Sequence, residues 1–407
     1  MTKYSLIERC IVDGKDLIEI VDLGVHPFAD TFIPKERLYE SEPIFPLKCG
    51  LCKECGLVQL LCLTNPVSRY GMYDYSYTSS NSEFAKQHWM KFAQDTMHIH
   101  GSELKVLEIG SNDGFLLEQY RTKGWEVIGI DSSEAMVRIA NGAGIPTLNE
   151  IFDQKVAEKL AKTNAKFNLI VANNVLNHSN DPLDFLKGVE KLLSNQGRFV
   201  FEVPYWLCSV QTANFDQIYH EHISYFTIAS LMKITDQTGM TIVDISVNEY
   251  HGGSLRITLS KDVSAMKKDW TELIKIEENA NLRSIETYKT FMQKIHQKRS
   301  RVLARLYQIL VSEPNAKIVL AGAAAKANTF INFYKLDSTI IECITDNSCH
   351  KIGKYTPLSR IPILPDSSVA EFKNLYVLVT AWNIKETIMN RILLFNPNGK
   401  VLNYEEN

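Results

Sequence analysis

The hydrophobic positions change their period several times along the chain. Up to about residue 70 they alternate in short runs, such as Leu17-Ile18-Glu19-Ile20-Val21 and Leu57-Val58-Gln59-Leu60, punctuated by Gly14, Gly24, Pro27, Pro34, Pro43, Pro46, Gly50 and Gly56. Short alternating runs between turn residues predict a small β-rich module. From about residue 80 to 103 the period becomes helical, and after Lys105 the apolar runs VLEIG, EVIGID, FNLIVANN and GRFVFEVP alternate with amphipathic segments. That alternation predicts a doubly wound α/β sheet. Between Ser254 and Glu313 there is neither Gly nor Pro, and from about Met266 onward the stretch is rich in Lys, Glu, Leu, Ile, Arg and Gln, which predicts one or two long helices. The runs IVLAGAAAKANTFINFY, IIECITDN and NLYVLVTAW then predict a second, smaller parallel α/β domain. The expected division is 1–72, 73–255 and 256–407, with no internal repeat.

Composition narrows the function more than the fold. A chain of 407 residues has room for two or three domains. With 44 Lys and Arg against 47 Asp and Glu, the formal charge is −3 and no block of one sign stands out. This balance argues against nucleic acid as a partner held by bulk charge and against a polybasic membrane anchor. No apolar run approaches the roughly 18 to 20 residues of a membrane span, and the start MTKYSLIERC lacks the apolar core of a secretory signal, so a cytoplasmic location is expected. Eight cysteines are too sparse for a disulfide scaffold, but Cys49, Cys52, Cys55 and Cys62 crowd together. Such crowding indicates metal or reduced thiols.

Cys52-Lys53-Glu54-Cys55-Gly56 has the spacing of a knuckle in which two thiolates on a tight turn grip tetrahedral zinc. A structural zinc needs four donors. The segment Cys10-Ile11-Val12-Asp13-Gly14 has the same spacing with Asp in place of the second Cys, so Asp13 or Cys49 could complete the set. Free thiols in a small β module are the other reading. A redox CxxC fits less well, because such a motif should open a helix and here an apparent strand follows.

The run Val106-Leu107-Glu108-Ile109 enters the turn Gly110-Ser111-Asn112-Asp113-Gly114 and then an amphipathic helix from Phe115 to about Lys123. Residues without side chains let the backbone approach a ligand, and a helix N-terminus offers amides. About 20 residues on, Asp131 ends the second strand where an acid can take both ribose hydroxyls. The spacing is not that of a dinucleotide fingerprint, and Glu108 and Asp113 would repel a pyrophosphate while suiting an ammonium and a sulfonium. S-adenosylmethionine is such a ligand, with Glu108, Gly110, Asn112, Asp113, Gly114, Asp131, Asn173 and Asn174 as its expected contacts. The bland alternative is that Gly110 and Gly114 only allow a strand and a helix to pack closely.

Tyr219-His220-Glu221-His222 sets two histidines around a carboxylate, in a loop beyond the strand Phe199 to Pro204. Histidine moves protons near neutral pH and a neighbouring Glu can fix its tautomer. His222 is expected to be the base, with Tyr219, Glu221 and His178 around it. His251 is a further candidate, and His220 is expected to be structural because alternate residues of an extended loop face opposite ways. A metal held by these histidines lacks a third convergent ligand.

Taken together, CxxCGLVQL at 52, EIGSNDGFLL at 108, NNVLNH at 173, FEVPY at 201, YHEHISYF at 219, HGGSLR at 251, GAAAKANT at 322 and AWN at 381 resemble the sugar C-methyltransferases. These enzymes methylate carbon of a nucleotide-linked 4-keto-6-deoxysugar. The resemblance runs in order over nearly the whole chain. It implies an α/β protein with a small zinc-binding β-rich N-terminal domain, a central Rossmann-like methyltransferase domain and a C-terminal Rossmann-like α/β domain that helps hold the nucleotide sugar. It implies His222 as base, Tyr219, Glu221 and His178 around the sugar, and Lys326 and Asn328 at the nucleotide. Tyr73 and Tyr77 would be the N-terminal contribution, His251 would line the substrate, and Cys10, Asp13, Cys52 and Cys55 would hold zinc. Two positions depart from the family pattern: Asp13 stands where the first knuckle usually has Cys, and Ala327 where the C-terminal loop usually has Gly.

The chemistry implied is removal of a proton beside a ketone, for which a positioned base and a donor at the enolate oxygen are needed. Tyr219 or His178 would be that donor. An O- or N-methyltransferase would keep the glycine loop and Asp131 but need no base acting on carbon, and a relative that retains the fold without turnover is a further alternative, against which the intact YHEH argues. An NAD-dependent epimerase or dehydrogenase is disfavoured by the loop spacing.

Overall fold

The computed structural model describes residues 4–71, 78–80, 82–98, 104–163, 166–266 and 270–403. Tyr73 and Tyr77 lie outside them. The central sheet contains β1 (Lys105–Ile109), β2 (Glu126–Asp131), β3 (Thr147–Asn149), β4 (Phe167–Asn173), β5 (Leu193–Pro204), β6 (Thr241–Asn248) and β7 (Ser254–Ser260). Their spatial order is β3-β2-β1-β4-β5-β7-β6, and only β7 runs antiparallel to its neighbours. The central strands carry fully buried runs such as Leu169 to Ala172, because helices cover both faces of a parallel sheet. The order turns outward from β1 to β2 on one side and to β4 on the other, which opens a crevice at the carboxyl ends of these strands.

The expected boundary at residue 255 falls inside β7. This strand pairs with β5 and β6 over its whole length, so the central sheet keeps the chain through Ser260. Sequence periodicity cannot assign a strand to one of two sheets when both stretches read as alternating apolar runs.

Four strands form the N-terminal sheet, in the order Ser224–Tyr225, Val58–Leu60, Phe45–Cys52, Leu17–His26, all antiparallel. The first of them belongs to the loop after His222. The N–H of Leu60 donates to the Ile223 carbonyl at 2.9 Å and the N–H of Ile223 to the Asn177 carbonyl at 2.8 Å. The histidine-rich loop is thereby clamped between the N-terminal module and the end of β4.

Beyond β7 the Gly- and Pro-free stretch holds two helices, Thr271–Asn279 and Ile285–Ser312. The longer buries Tyr288, Phe291, Ile295, Val302, Leu306 and Ile309, a stripe at intervals of three, four and seven. It leads to a sheet of five parallel strands ordered Ile363–Pro365, Cys343–Asp346, Lys317–Ala321, Leu375–Val379, Lys400–Leu402. Among the described residues no helix is long and apolar enough to cross a membrane.

Candidate active site

A cleft of about 660 Å³ opens at the carboxyl ends of β1, β2, β4 and β5 and continues to the C-terminal domain. One end is lined by Glu108, Gly110, Asn112, Asp131, Asn173 and Asn174, the middle by His178, Tyr219, Glu221, His222 and His251, and the far end by Lys326, Lys351 and Asn383. Asp30 of the N-terminal module also lines it, so residues from three sequence modules share one cavity.

At the first end the chain makes a tight turn over β2. Gly110 (φ +73°) and Asn112 (φ +50°) are left-handed, and a Cβ on Gly110 would lie 2.3 Å from Val175 Cγ2. Glycine is required there on both counts. A Cβ on Gly129 would lie 2.4 Å from Ser111 Oγ, so the missing side chain in β2 lets the turn lie close against it. The carboxylate of Asp131 accepts the N–H of Asn112 on Oδ2 and of Ser133 on Oδ1, both at 2.8 Å. Burial pushes its carboxyl up, and the two N–H groups act against that. Glu108 is pushed well above the usual carboxylate range by burial, then by the charges of Asp113 and Asp131. Among the described residues, Glu108 Oε2, Asn173 Nδ2 and Asn174 Oδ1 are buried with no hydrogen-bond partner. Orphaned polar atoms lining a cleft call for a polar ligand, and a carboxylate at the second strand end with free carboxyl and amide groups nearby suits a nucleoside carrying cationic groups.

Two expected contacts of this end do other work. Asp113 does not line the cleft. Its carboxylate takes the hydroxyl of Ser79, and the N–H and hydroxyl of Ser80 at 3.2 and 2.5 Å, while Asn112 Oδ1 accepts the Ser79 N–H at 2.9 Å. These residues latch the segment before the helix Glu83–Thr96 onto the turn. Nothing in the local sequence marks Ser79 and Ser80 as partners of a residue more than thirty positions away. Gly114 (φ +79°) also lies outside the lining; it starts the helix Phe115–Arg121 and packs toward Ile145 and Ala140, the bland role of a packing glycine.

In the middle of the cleft, His222 Nδ1 lies 2.9 Å from the Gln217 carbonyl and Nε2 lies 2.7 Å from the Tyr219 hydroxyl. A carbonyl oxygen only accepts, so Nδ1 carries the proton and Nε2 the lone pair, which the Tyr219 O–H meets as donor. Burial pushes His222 down to about 3, which keeps it neutral. The His178 ring is 5.1 Å from that of His222 and is pushed well below the usual histidine range, by burial first and then by the neighbouring histidines and Arg69. Burial, with the Asp30 charge second, raises the Glu221 carboxyl to about 7, and its Oε2 is buried without a partner among the described residues. Asp30, from the N-terminal module, lines the same stretch and carried no sequence signal. His251 (φ +54°) is pushed to about 3, mainly by burial. His220 points away, fully buried, with Nε2 3.2 Å from the Pro46 carbonyl and its ring edge-on to Phe45 at 5.5 Å.

At the far end Lys326 donates to Asn383 and sits 4.3 Å above the Trp382 ring. Burial lowers its ammonium to about 8, against the Asp216 carboxylate. Asn328, two positions on, does not reach the cleft: it is buried, and its amide donates to the Ala29 carbonyl. In the helix Ala325–Tyr334 a shift of two residues turns the side chain by about 200°, so Lys326 and Asn328 cannot face the same way. Asn328 ties the C-terminal domain to the N-terminal module instead.

The cysteine cluster assembles apart from the cleft. The donor atoms of Cys10, Asp13, Cys52 and Cys55 all lie within 4.8 Å of one another. Gly14 and Gly56, both left-handed, close the two turns by donating to the carbonyls of Cys10 and Cys52 at 2.9 Å. Cys10 Sγ is 3.6 Å from Cys55 Sγ, near the edge of about 3.8 Å expected for two thiolates on tetrahedral zinc. Cys52 Sγ is 3.3 Å from Asp13 Oδ2. The donor set fits zinc with Asp13 as the fourth ligand; Cys49 is buried in the strand Phe45–Cys52 and is not in the cluster.

Comparison with known proteins bears on each part. Family models match as a "Putative zinc binding domain" over residues 10–70, a methyltransferase domain over 82–245 and a C-methyltransferase C-terminal domain over 249–402. The C-methyltransferase NovU of Streptomyces niveus is 28% identical over 97% of this chain and 94% of its own. A ubiquinone biosynthesis O-methyltransferase of Coxiella burnetii is 25% identical over 43% of this chain and 79% of its own. Among solved structures, magnesium protoporphyrin IX methyltransferase from Synechocystis with bound S-adenosylhomocysteine aligns with 44% of this chain and 83% of its own, at 17% identity and a TM-score of 0.35. The similarity to NovU spans all three modules, whereas the other two stop at about the length of the central one.

Proposed function

Since this chain belongs to the S-adenosylmethionine-dependent C-methyltransferases, we propose that it methylates the carbon beside the ketone, C3, of a nucleotide-linked 4-keto-6-deoxysugar. The observation that carries this reading is His222: a buried, neutral imidazole whose lone pair faces the cleft between the polar cofactor end and the Lys326 end. In an O- or N-methyltransferase the same base would take a proton from a hydroxyl or amine, so loss of the C3 proton to solvent separates the two readings.

Asp131, Glu108 and the Gly110 turn bind the nucleoside and amino-acid parts of the cofactor, which when bound supplies an electrophilic methyl group on sulfur. Lys326 meets the phosphates of the nucleotide sugar. The Tyr219 O–H turns from His222 Nε2 to the ketone oxygen, which uncovers the lone pair and provides a donor where negative charge develops. Nε2 then takes the proton from C3, and the C–H electron pair moves into the enolate. The bound cofactor would give its methyl group to the enolate carbon and keep the carbon–sulfur electron pair. Holding the two reactants in line is the main contribution of the protein. The buried Cys10, Cys52 and Cys55 with the half-buried Asp13 would hold a structural zinc, apart from these steps.

Mass spectrometry of the full chain, incubated with S-adenosylmethionine and a panel of nucleotide-4-keto-6-deoxysugars in deuterated water, tests the reading. The expected result is a sugar that gains one methyl group on carbon, lost in His222→Ala. Transfer to oxygen or nitrogen, or transfer undiminished in His222→Ala, would overturn it.

A further inference from the structure

The Gln217 carbonyl that fixes the tautomer of His222 is itself held from the far domain. On one side of Gln217, the Trp382 indole N–H donates to Asp216 Oδ2 at 2.7 Å. On the other side, the Thr329 hydroxyl donates to the Ile218 carbonyl at 3.0 Å. Both donors belong to the C-terminal domain and lie beside the nucleotide end of the cleft: Thr329 is on the same helix as Lys326, and the Trp382 ring lies beneath the Lys326 ammonium. Asp216, Gln217 and Ile218 are all buried, and the Gln217 side-chain amide donates to the His251 carbonyl at 2.9 Å.

The approach of Trp382 also depends on the His251-Gly252-Gly253 turn. A Cβ on Gly252 (φ +82°) would lie 2.2 Å from the Trp382 ring, so only glycine admits the indole at this depth. The C-terminal domain thus reaches three groups around the base: the residue before Gln217, the residue after it, and the turn that carries His251.

We infer that Trp382 and Thr329 are positioning residues for the base, holding the Asp216-Gln217-Ile218 segment so that the Gln217 carbonyl keeps His222 Nδ1 protonated and Nε2 aimed at the substrate. This rests on the reading of His222 as base. The C-terminal domain then has a second task beside binding the nucleotide, because the elements that meet the nucleotide also set the proton-abstracting group. A misplaced base loses rate without losing substrate affinity.

The test uses the full chain, the nucleotide ketosugar and S-adenosylhomocysteine, and follows exchange of the C3 proton with deuterated solvent, a readout of the base alone. In Trp382→Phe and Thr329→Val the exchange rate at saturating sugar is expected to fall about tenfold or more, with the dissociation constant of the sugar nucleotide changed less than about threefold. Thr329→Ser, which keeps the hydroxyl, is expected to retain the rate. A raised dissociation constant with exchange at saturation unchanged would overturn the inference, leaving both residues to the nucleotide alone. So would a loss in Thr329→Ser as large as that in Thr329→Val, because Ser keeps the hydroxyl and the bond to the Ile218 carbonyl would then not be what sets the rate. Undiminished exchange in His222→Ala would instead overturn the assignment of the base, a separate failure.

Discussion

The Tyr219 hydroxyl lies 2.7 Å from His222 Nε2 and donates to it, so the proposed base and its neighbour form a hydrogen-bonded pair facing the cleft. One O–H can serve His222 in the resting enzyme and the ketone oxygen during the reaction. Tyr219→Phe removes that donor while keeping the ring, which packs 4.0 Å from the imidazole. The expected outcome is a fall in kcat of about two orders of magnitude, with KM for the sugar changed only a few-fold. Steady-state kinetics check it, and a kcat within twofold of wild type would remove Tyr219 from the chemistry.

The Asp131 carboxylate holds the cofactor turn as well as facing the cleft. Asp131→Asn replaces one acceptor by an amide N–H, which cannot accept from Asn112 or Ser133. Affinity for S-adenosylmethionine is expected to weaken about tenfold or more, as read by titration calorimetry. Unaltered affinity would mean that another group takes the ribose.

His220 gives a pH effect on stability with a definite sign. Its folded-state pKa is depressed to about 3, chiefly by burial, against about 6.5 in an unfolded chain. Its contribution is complete above the unfolded value and is lost as the pH falls from about 6.5 toward 3. Other buried acids with raised values work in the opposite direction, so the test is a difference. Between pH 7 and 5, His220→Gln is expected to lose roughly 2 kcal/mol less stability than wild type. Denaturant unfolding at the two pH values measures it, and equal losses would show that His220 is not buried neutral.

Asp13 completes a donor set of three thiolates and one carboxylate. Asp13→Cys would give four thiolates on the same pair of turns, a set that zinc favours. Zinc loss to a competing chelator is expected to be slower in this variant, and zinc removal from the wild type should lower the Tm of the N-terminal module. A faster loss in Asp13→Cys would show that the turn around Gly14 has no room for the sulfur.

The order of the three modules, the cofactor turn and the histidine loop were all legible in the sequence, because each is written in contiguous residues. Periodicity marks β1, β2, β4, β5 and the long helix Ile285–Ser312, and the spacing of Gly110 and Asp131 reflects one strand–turn–helix–strand unit. Knuckle spacing likewise marked Cys10, Asp13, Cys52 and Cys55, leaving open whether Asp13 or Cys49 was the fourth donor and whether the thiols were free.

Tertiary structure alone decided the rest. Asn328 meets Ala29 across 299 positions, and Thr329 meets Ile218 across 111. No period or spacing records a pairing between chain segments that far apart. It also sent β7 to the central sheet and Ser224–Tyr225 to the N-terminal one, since hydrogen-bonding edges are chosen by packing. Above all, the group that fixes the tautomer of His222, the proposed base, is the backbone carbonyl of Gln217. Every residue has such a carbonyl, so its direction, which the surrounding domains impose, leaves no mark in the sequence.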